Sequence, residues 1–504
     1  MSGLRQFPLF VLIGLIGSLA MLLPAAHAAQ LELWLAGRIF LYSGLFFAAM
    51  FGLLGLSMMN RTPDISAKSH LITLLLTFAL LPLVLAVPLE QLVPSITYGQ
   101  AYFEMLSSFT TTGATVFDFP AEIMQPIHLW RSITGWLGGF LVLLFAVAIL
   151  EPMNLGGFEI RSASMRLGSG TRSKTGASKE MSDRIIRQSR ILIVPYTIVT
   201  AVLVLILILA GDRPFVALSH GMATVSTSAI SPVGGLSGGS SGFVGEAAIL
   251  IFLVFAISHR SWRAIVMQGR LRWMLSDPEF RLAGFLIGSI SLFLFLRHWF
   301  ATFDTEQTGN VGLGLEALWG GLFTITSFLT TLGFESQAWS DARFWSGLDS
   351  AGIVLLSLAI IGGGVATTAS GVKLLRIYAL YKHGLRELDR VAHPHSIGGA
   401  GSLAARRFRK QGAQVAWLFL MLFLLAMAAA ILGFSMAGHS FESSLLLAVA
   451  GLSNTGPIIH TLPQGIDSYT VLGNAGYWIF SACMILGRIE TLAVIALLNP
   501  DYWR

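Results

Sequence analysis

Residues 98–115 read YGQAYFEMLSSFTTTGAT, a short apolar helix running into the polar strip Thr110-Thr111-Thr112-Gly113-Ala114-Thr115. The helical part, 98–112, is too short to cross a hydrocarbon core, which takes about 20 apolar residues, and reads as a buried or re-entrant helix. Three other segments share this form. Segment 215–227 enters Val225-Ser226-Thr227-Ser228-Ala229-Ile230, segment 315–329 enters Leu329-Thr330-Thr331-Leu332-Gly333-Phe334, and segment 441–453 enters Ser453-Asn454-Thr455-Gly456-Pro457. Aligned on positions 113, 228, 333 and 456, the strips are 115, 105 and 123 residues apart. Repetition at such spacing implies one structural unit used four times.

Ten longer apolar runs surround these segments: 8–24, 39–59, 71–87, 130–150, 191–209, 243–257, 282–296, 348–375, 415–433 and 471–498. After the first two, the order span, short helix, polar strip, span occurs four times. The composition agrees. Charged residues make up 12% and hydrophobic residues 54%, with a mean hydropathy of +0.73, against about 25% charged in soluble proteins. A soluble globule and a disordered chain are both excluded. The single cysteine, Cys483, excludes a disulfide framework and a multi-thiolate metal site. The expected fold is an all-α polytopic membrane protein: two leading helices (1–65), then four pseudo-symmetric pore repeats around one pore (66–160, 185–275, 278–385 and 412–504). Basic cytoplasmic linkers occupy 161–184 and 386–411. Arg5, the first apolar run and Ala26-His27-Ala28 also resemble a secretory signal with its cleavage site. The length of the run and the spans that follow favour a retained helix.

Basic residues set the orientation. With Arg5 inside and the spans alternating, 26 of the 32 Lys and Arg residues fall on the inner side, in the blocks 161–190, 260–281 and 373–410 above all. The positive-inside rule then places both termini in the cytoplasm and all four strips on the outer side. The net charge of +6 is a topology signal and a contact with anionic lipid, not a nucleic-acid footprint.

Irregular backbone at membrane depth is tolerated only where protein buries it or where it lines a water-filled path. A glycine after a short helix lets the chain turn its carbonyls inward, and the negative end of the helix favours a cation there. A single Thr-Thr-Gly at a helix end is ordinarily a cap or a packing contact. Four in register around one axis form a ring of hard oxygen ligands, the arrangement of a potassium-channel filter, suited to alkali cations. The candidate filter residues are Thr111, Thr112 and Gly113; Ser226, Thr227 and Ser228; Thr331, Leu332 and Gly333; and Asn454, Thr455 and Gly456. Gly362-Gly363-Gly364 interrupts an apolar segment, and each glycine costs about 1 kcal/mol in a helix interior. The segment should therefore break there, with Thr367, Thr368 and Ser370 hydroxyls satisfying the freed backbone; close glycine packing is the alternative. Arg488 lies inside the last apolar run and must face the protein interior to meet carbonyls or an acid such as Glu490. Glu104, Asp118, Glu335 and Asp467 lie outside and would enrich cations at the mouth. Enzymatic readings fail because no cluster of acids, histidines or nucleophile–base pairs falls within the bundle.

Several stretches together resemble the Trk/Ktr/HKT superfamily, and most closely its bacterial Trk-type membrane subunits, over nearly the whole chain. Phe103-Glu104 with Phe109 to Thr115 resembles the first pore loop. Leu129-Trp130-Arg131 and Trp136-Leu137-Gly138-Gly139 resemble the helix after it. Ile361-Gly362-Gly363 with Ala366 to Lys373 resembles a broken third-repeat helix. Gly487-Arg488-Ile489-Glu490 and Pro500-Asp501-Tyr502-Trp503-Arg504 resemble the fourth repeat and the C-terminus. The resemblance implies K⁺ as the transported ion, held at the filter residues, with no organic cofactor in this chain. It implies uptake across the bacterial inner membrane by a homodimer gated by a cytoplasmic ring of nucleotide-binding regulatory subunits. It also implies a gate formed by Gly362, Gly363, Gly364, Thr367 and Thr368, with Arg488 beside it.

Two positions depart from the family pattern. Ser228 stands where a glycine is expected, and Leu332 where threonine is commoner. These departures keep two other readings open: a Na⁺-permeable or weakly selective alkali-cation transporter of the same fold, and a nonconducting regulator.

Overall fold

The structure is a computed structural model that describes residues 8–58, 67–150, 177–262, 277–301, 311–348, 351–393, 403–462 and 466–489. Every regular element among the described residues is a helix. Seven of them are long and apolar enough to span a membrane: Leu9–Gln30, Trp34–Met58, Leu71–Leu92, Gln125–Ala148, Arg184–Leu209, Pro278–Arg297 and Gly412–Met436. The chain is thus a multi-pass membrane protein. Large apolar side chains such as Leu53, Leu205 and Phe285 are exposed. On a soluble surface they would be a liability; here they form the lipid face.

Two of the other three expected spans are interrupted in the structure, one of them at the glycines where the sequence predicts a break, and the last runs into residues outside those described. The three are the second helices of repeats two, three and four. The first divides at Leu253 into Gly242–Phe252 and Val254–Ile257. The second, Ala351–Ile361, stops at Gly362 and resumes as Leu374–Ala392. The third is described over Asn474–Ile489. Hydropathy registers where a chain is apolar, not where its helix breaks.

Between the two long helices of each repeat sits a short one: Tyr98–Phe109, Pro214–Ser226, Val311–Leu329 and Phe441–Leu452. Their starts are locally encoded. Thr97 and Gln100 form a reciprocal capping box, Pro214 occupies the first turn of the second, and the Ser440 side chain accepts from the Ser443 N–H. Each device satisfies or removes an N–H that the helix start leaves unpaired.

Small residues let the long helices approach the short ones, as in membrane bundles generally. A Cβ on Gly138 would collide with the Phe109 carbonyl, and one on Gly139 would stand 2.6 Å from the Ser226 Cβ. One face of the Gln125–Phe145 helix therefore joins the ends of two short helices. The leading helices pack outside this unit: Phe40 lies edge-on to Trp130, whose Nε1 donates to the Leu85 carbonyl (3.0 Å). Residues 26–28 lie in the helix Leu22–Gln30, with Ala28 buried and the His27 ring stacked on Phe215.

Candidate ion filter and gate

The four short helices end identically. In each, the last hydroxyl residue bonds back to the carbonyl four positions earlier: Thr110 to Leu106, Ser226 to Met222, Thr330 to Thr326 and Ser453 to Val449, all at 2.7–2.8 Å. The next residue is left-handed: Thr111 (φ 55°), Thr227 (54°), Thr331 (56°) and Asn454 (50°). The one after that donates its N–H five residues back: Thr112 to Ser107, Ser228 to Ala223, Leu332 to Ser327 and Thr455 to Ala450, at 2.8–3.0 Å. This is a Schellman ending, built four times without the glycine that usually occupies its left-handed position.

This geometry corrects the sequence alignment in strip two. Thr227 is the equivalent of Thr111, so Ser228 is the equivalent of Thr112, Leu332 and Thr455. The residue in the glycine position is Ala229, left-handed at φ 52° beside Gly113 (74°) and Gly333 (83°). Ser228 thus occupies an ordinary place. Its hydroxyl accepts from Ser226 Oγ (3.0 Å) as Thr110 and Thr112 share a hydrogen bond (2.8 Å). Alignment on glycine missed this because the second strip has no glycine; the hydroxyl residue ending each helix carries the register instead. The fourth strip departs after Thr455. Gly456 starts a 3₁₀ turn. Its N–H donates to the Thr112 carbonyl (2.6 Å) and its carbonyl accepts from the Tyr469 hydroxyl (2.8 Å).

Gly113, Ala229, Gly333 and Gly456 all line one cavity of about 710 Å³. They approach one another closely. A Cβ on Gly113 would stand 2.9 Å from the Ala229 methyl and closer still to the Ser228 carbonyl; one on Gly333 would meet Pro457 at 3.0 Å. Asp118, Glu335, Asp467 and His460 line the same cavity. Burial raises the Glu335 carboxyl, with Arg343 opposing. Burial lowers His460, with Asp467 and Asp118 opposing. Glu104 does not belong to this ring. It is buried, paired with Arg131 (2.6 Å), and accepts from the Val116 N–H (2.9 Å), which ties the outer loop to the first short helix.

The opposite side of the strips meets residues 362–373. Gly362 (φ 73°) and Gly371 (φ 85°) bring the ends of this loop together. Val372 N–H donates to Ile360 and Lys373 N–H to Ile361 (2.9 and 2.8 Å), so the loop leaves where it entered. Gly363 and Gly364 are also packing glycines, because a Cβ on either would collide with the Ala256 or Ile257 carbonyl. Thr367 bonds within the loop, to the Gly364 carbonyl (2.8 Å). The remaining bonds reach every strip. Thr368 Oγ1 donates to Val225 O (3.2 Å), Ser370 N–H to Thr331 Oγ1 (2.9 Å) and Ser370 Oγ to Asn454 Oδ1 (2.8 Å). Arg488 completes the set, its Nε donating to Thr110 O (2.8 Å) and its Nη1 to Thr368 O (2.7 Å). The buried guanidinium thus meets carbonyls. Glu490, the ending 500–504, and the linker residues 161–176 and 394–402 lie outside the described residues.

Residues 36–500 match the TrkH family, described as a cation transport protein. The chain is 28% identical over 414 residues to the Trk system potassium uptake protein TrkH of Escherichia coli (strain K12), covering 82% of this chain and 80% of that one. It is 30% identical over 423 residues to the protein of the same name from Halomonas elongata, covering 80% and 79%. The crystal structure of the potassium transporter TrkH from Vibrio parahaemolyticus superposes with a TM-score of 0.78 at 24% identity, over 98% of this chain and 99% of that one. That likeness establishes the fold: two leading helices and four pore repeats. A match over most of its length places this chain in the TrkH family of cation transport proteins, an ion-transport family and not an enzyme family.

Proposed function

We propose that this protein takes up K⁺ across the bacterial cytoplasmic membrane, with the residues 111–113, 227–229, 331–333 and 454–456 as its filter. The observation that carries the reading is the stack along one line: a cavity touching all four strips, and on the other side a loop bonded to three of them and, through Arg488, to the first. Left-handed residues such as Thr111 and Gly113 alternate with right-handed or extended ones. Successive carbonyls, which point to opposite sides of an extended chain, then turn to the same side. Carbonyls so arranged replace an alkali ion's hydration shell. Two of them already accept protein hydrogen bonds, but each carbonyl has a second lone pair. The relatives named as potassium uptake proteins support K⁺ as the cargo. Entry would be favoured by about 2.3 kcal/mol per charge for each 100 mV of membrane potential.

Gly362, Gly363, Gly364, Thr367, Thr368 and Arg488 form the gate. The excess of inner basic residues supports cytoplasmic termini. The repeats divide at 66–160, 185–275, 278–385 and 412–504, after leading helices in 1–65. The basic linkers 161–184 and 386–411 face a cytoplasmic nucleotide-binding regulatory ring, and two copies of the chain form a homodimer. A weakly selective or Na⁺-permeable pore is the second reading, favoured by Ala229 in a glycine position and by Leu332, which offers no side-chain oxygen. K⁺ flux into liposomes, with Na⁺ as competitor, tests both. K⁺ flux that Na⁺ barely inhibits supports the first reading, and equal permeation the second. No flux with the regulatory ring present would make the chain a nonconducting regulator.

A further inference from the structure

His259, Asp277 and Glu279 lie apart from the filter, against the loop 362–373 at Val365. All three are buried, and one ligand atom from each lies within 4.8 Å of the other two. Asp277 and Glu279 flank the start of the helix Pro278–Ala301, and His259 follows the broken second helix of repeat two.

An acid at a helix start is commonly a cap, and that suffices for Asp277. Glu279 lies one residue inside the helix, and its carboxylate reaches the gate loop and His259. One oxygen of this carboxylate, Oε1, accepts from the Val365 N–H of the gate loop (2.9 Å). The other, Oε2, faces His259 Nδ1 at 3.6 Å, too long for a hydrogen bond. It is close to the edge of a tetrahedron, about 3.4 Å, around an ion with zinc-like ligand distances of about 2.1 Å.

One imidazole and two carboxylates form a borderline-soft donor set suited to divalent first-row transition ions, not to alkali cations. Three protein ligands leave a position for water, as in open zinc sites. The surroundings fit such a site. The Ser258 hydroxyl holds Asp277 as outer-shell partners hold metal-ligating carboxylates. Arg260, 3.7 Å from the same carboxylate, has a side chain 41% exposed and can turn to solvent when an ion enters. The backbone beside the site also carries the loop, since Gly364 N–H donates to Ala256 O (3.0 Å).

We propose that His259, Asp277 and Glu279 bind a divalent transition-metal ion, and that the bound ion holds the gate loop closed through the Glu279–Val365 hydrogen bond. An ion on Oε2 fixes the carboxylate whose other oxygen carries Val365, so loop withdrawal would require breaking that hydrogen bond or the metal bond. The effect on flux rests on the transport reading above; the binding does not.

The test uses full-length protein stripped with a chelator, with Zn²⁺ as the probe. Equilibrium dialysis and metal analysis should find one Zn²⁺ per chain at this site. Affinity should fall at least tenfold in Glu279→Gln, which keeps an acceptor for Val365 N–H, and in His259→Asn. Unchanged affinity and stoichiometry in both variants would overturn the site, as would absence of stoichiometric binding by the unaltered protein. In liposomes, Zn²⁺ on the cytoplasmic face should slow K⁺ flux at least threefold in the unaltered protein and not in Glu279→Gln. Equal slowing in both, or none in either despite binding, would overturn the coupling to the loop. If the protein carries no flux at all the transport reading fails, while the dialysis result still decides the site.

Discussion

In the strips, four sequences, Thr-Thr-Thr-Gly, Ser-Thr-Ser-Ala, Thr-Thr-Leu-Gly and Ser-Asn-Thr-Gly, hold one backbone through their first three residues, and three of them through the fourth; in the loop 362–373, one sequence holds a backbone that occurs once. The strips are fixed by main-chain bonds of the helix ends, so threonine, serine, asparagine, leucine and alanine all find places in them. The loop depends on glycines at its two ends and on single long-range bonds to Val225, Thr331, Asn454 and Arg488. A repeated element tolerates side-chain change because the backbone carries the pattern. A unique one places its specificity in a few contacts, each breakable by a single substitution.

The largest effect is expected where the strips are least tolerant. Gly113→Ala would put a methyl group against the Ser228 carbonyl and the Ala229 methyl. The left-handed conformation alone costs about 1–2 kcal/mol for a residue with a Cβ, and overpacking adds about 1–3 kcal/mol. K⁺ flux in liposomes should fall by at least about tenfold, the ratio that about 1.4 kcal/mol produces. Flux at the unaltered level would show that the strips do not form the ion path. On the loop side, Arg488→Ala removes two buried bonds from a charged donor, worth about 1.5–3 kcal/mol each, and removes a positive charge beside the pore. The expected outcome is a rise in flux of about tenfold. Unchanged flux in a folded variant would mean that the loop is not the barrier, and the contrast drawn above would then concern structure alone.

The unequal legibility of these two regions has the same origin. The short helices were readable to within a few residues because length, apolarity and caps such as Thr97 and Ser440 are local. The break at Gly362 was readable because three glycines oppose a helix. What the loop touches was not readable, since Thr368 and Val225 are 143 positions apart. Arg488 needs an interior partner by its place in an apolar run, but that it meets the Thr110 and Thr368 carbonyls is a fact of packing. Glu104 appeared as a mouth residue because its pair, Arg131, sits on another helix. The register of strip two is hidden for a different reason: glycine is the visible landmark of the other strips, and Ala229 stands in its place.

The register of strip two is open to measurement. Ala229 is a left-handed alanine, a conformation costing about 1–2 kcal/mol. Ala229→Gly relieves this cost, less about 0.5–1 kcal/mol of glycine's chain entropy. The variant should be more stable by up to about 1 kcal/mol and should discriminate more strongly against Na⁺ in the liposome assay, since all four strips would then carry glycine. Ser228→Gly, the change suggested by the sequence alignment, should have a much smaller effect on selectivity. The reverse order of effects would restore the sequence alignment and break the equivalence of Thr227 with Thr111.

The smallest effect concerns the mouth, where the strips meet the outer solution. Asp118, Glu335 and Asp467 supply negative charge there and His460 can supply positive charge. Because burial raises the Glu335 carboxyl, this residue loses its charge at a higher pH than an ordinary glutamate as the outer solution is acidified. Because burial lowers His460, the imidazole stays neutral until below the usual histidine range and only then adds a positive charge. Both changes make the mouth less negative, so K⁺ flux should decline as outer pH falls and recover as it rises. A local field changes entry rates by more at low ionic strength, so the decline should shrink when salt is raised. Glu335→Gln should remove the higher-pH part of the decline and leave the part due to His460. A decline unaffected by that substitution and by salt would place the titrating group away from the mouth, in the strips or the loop.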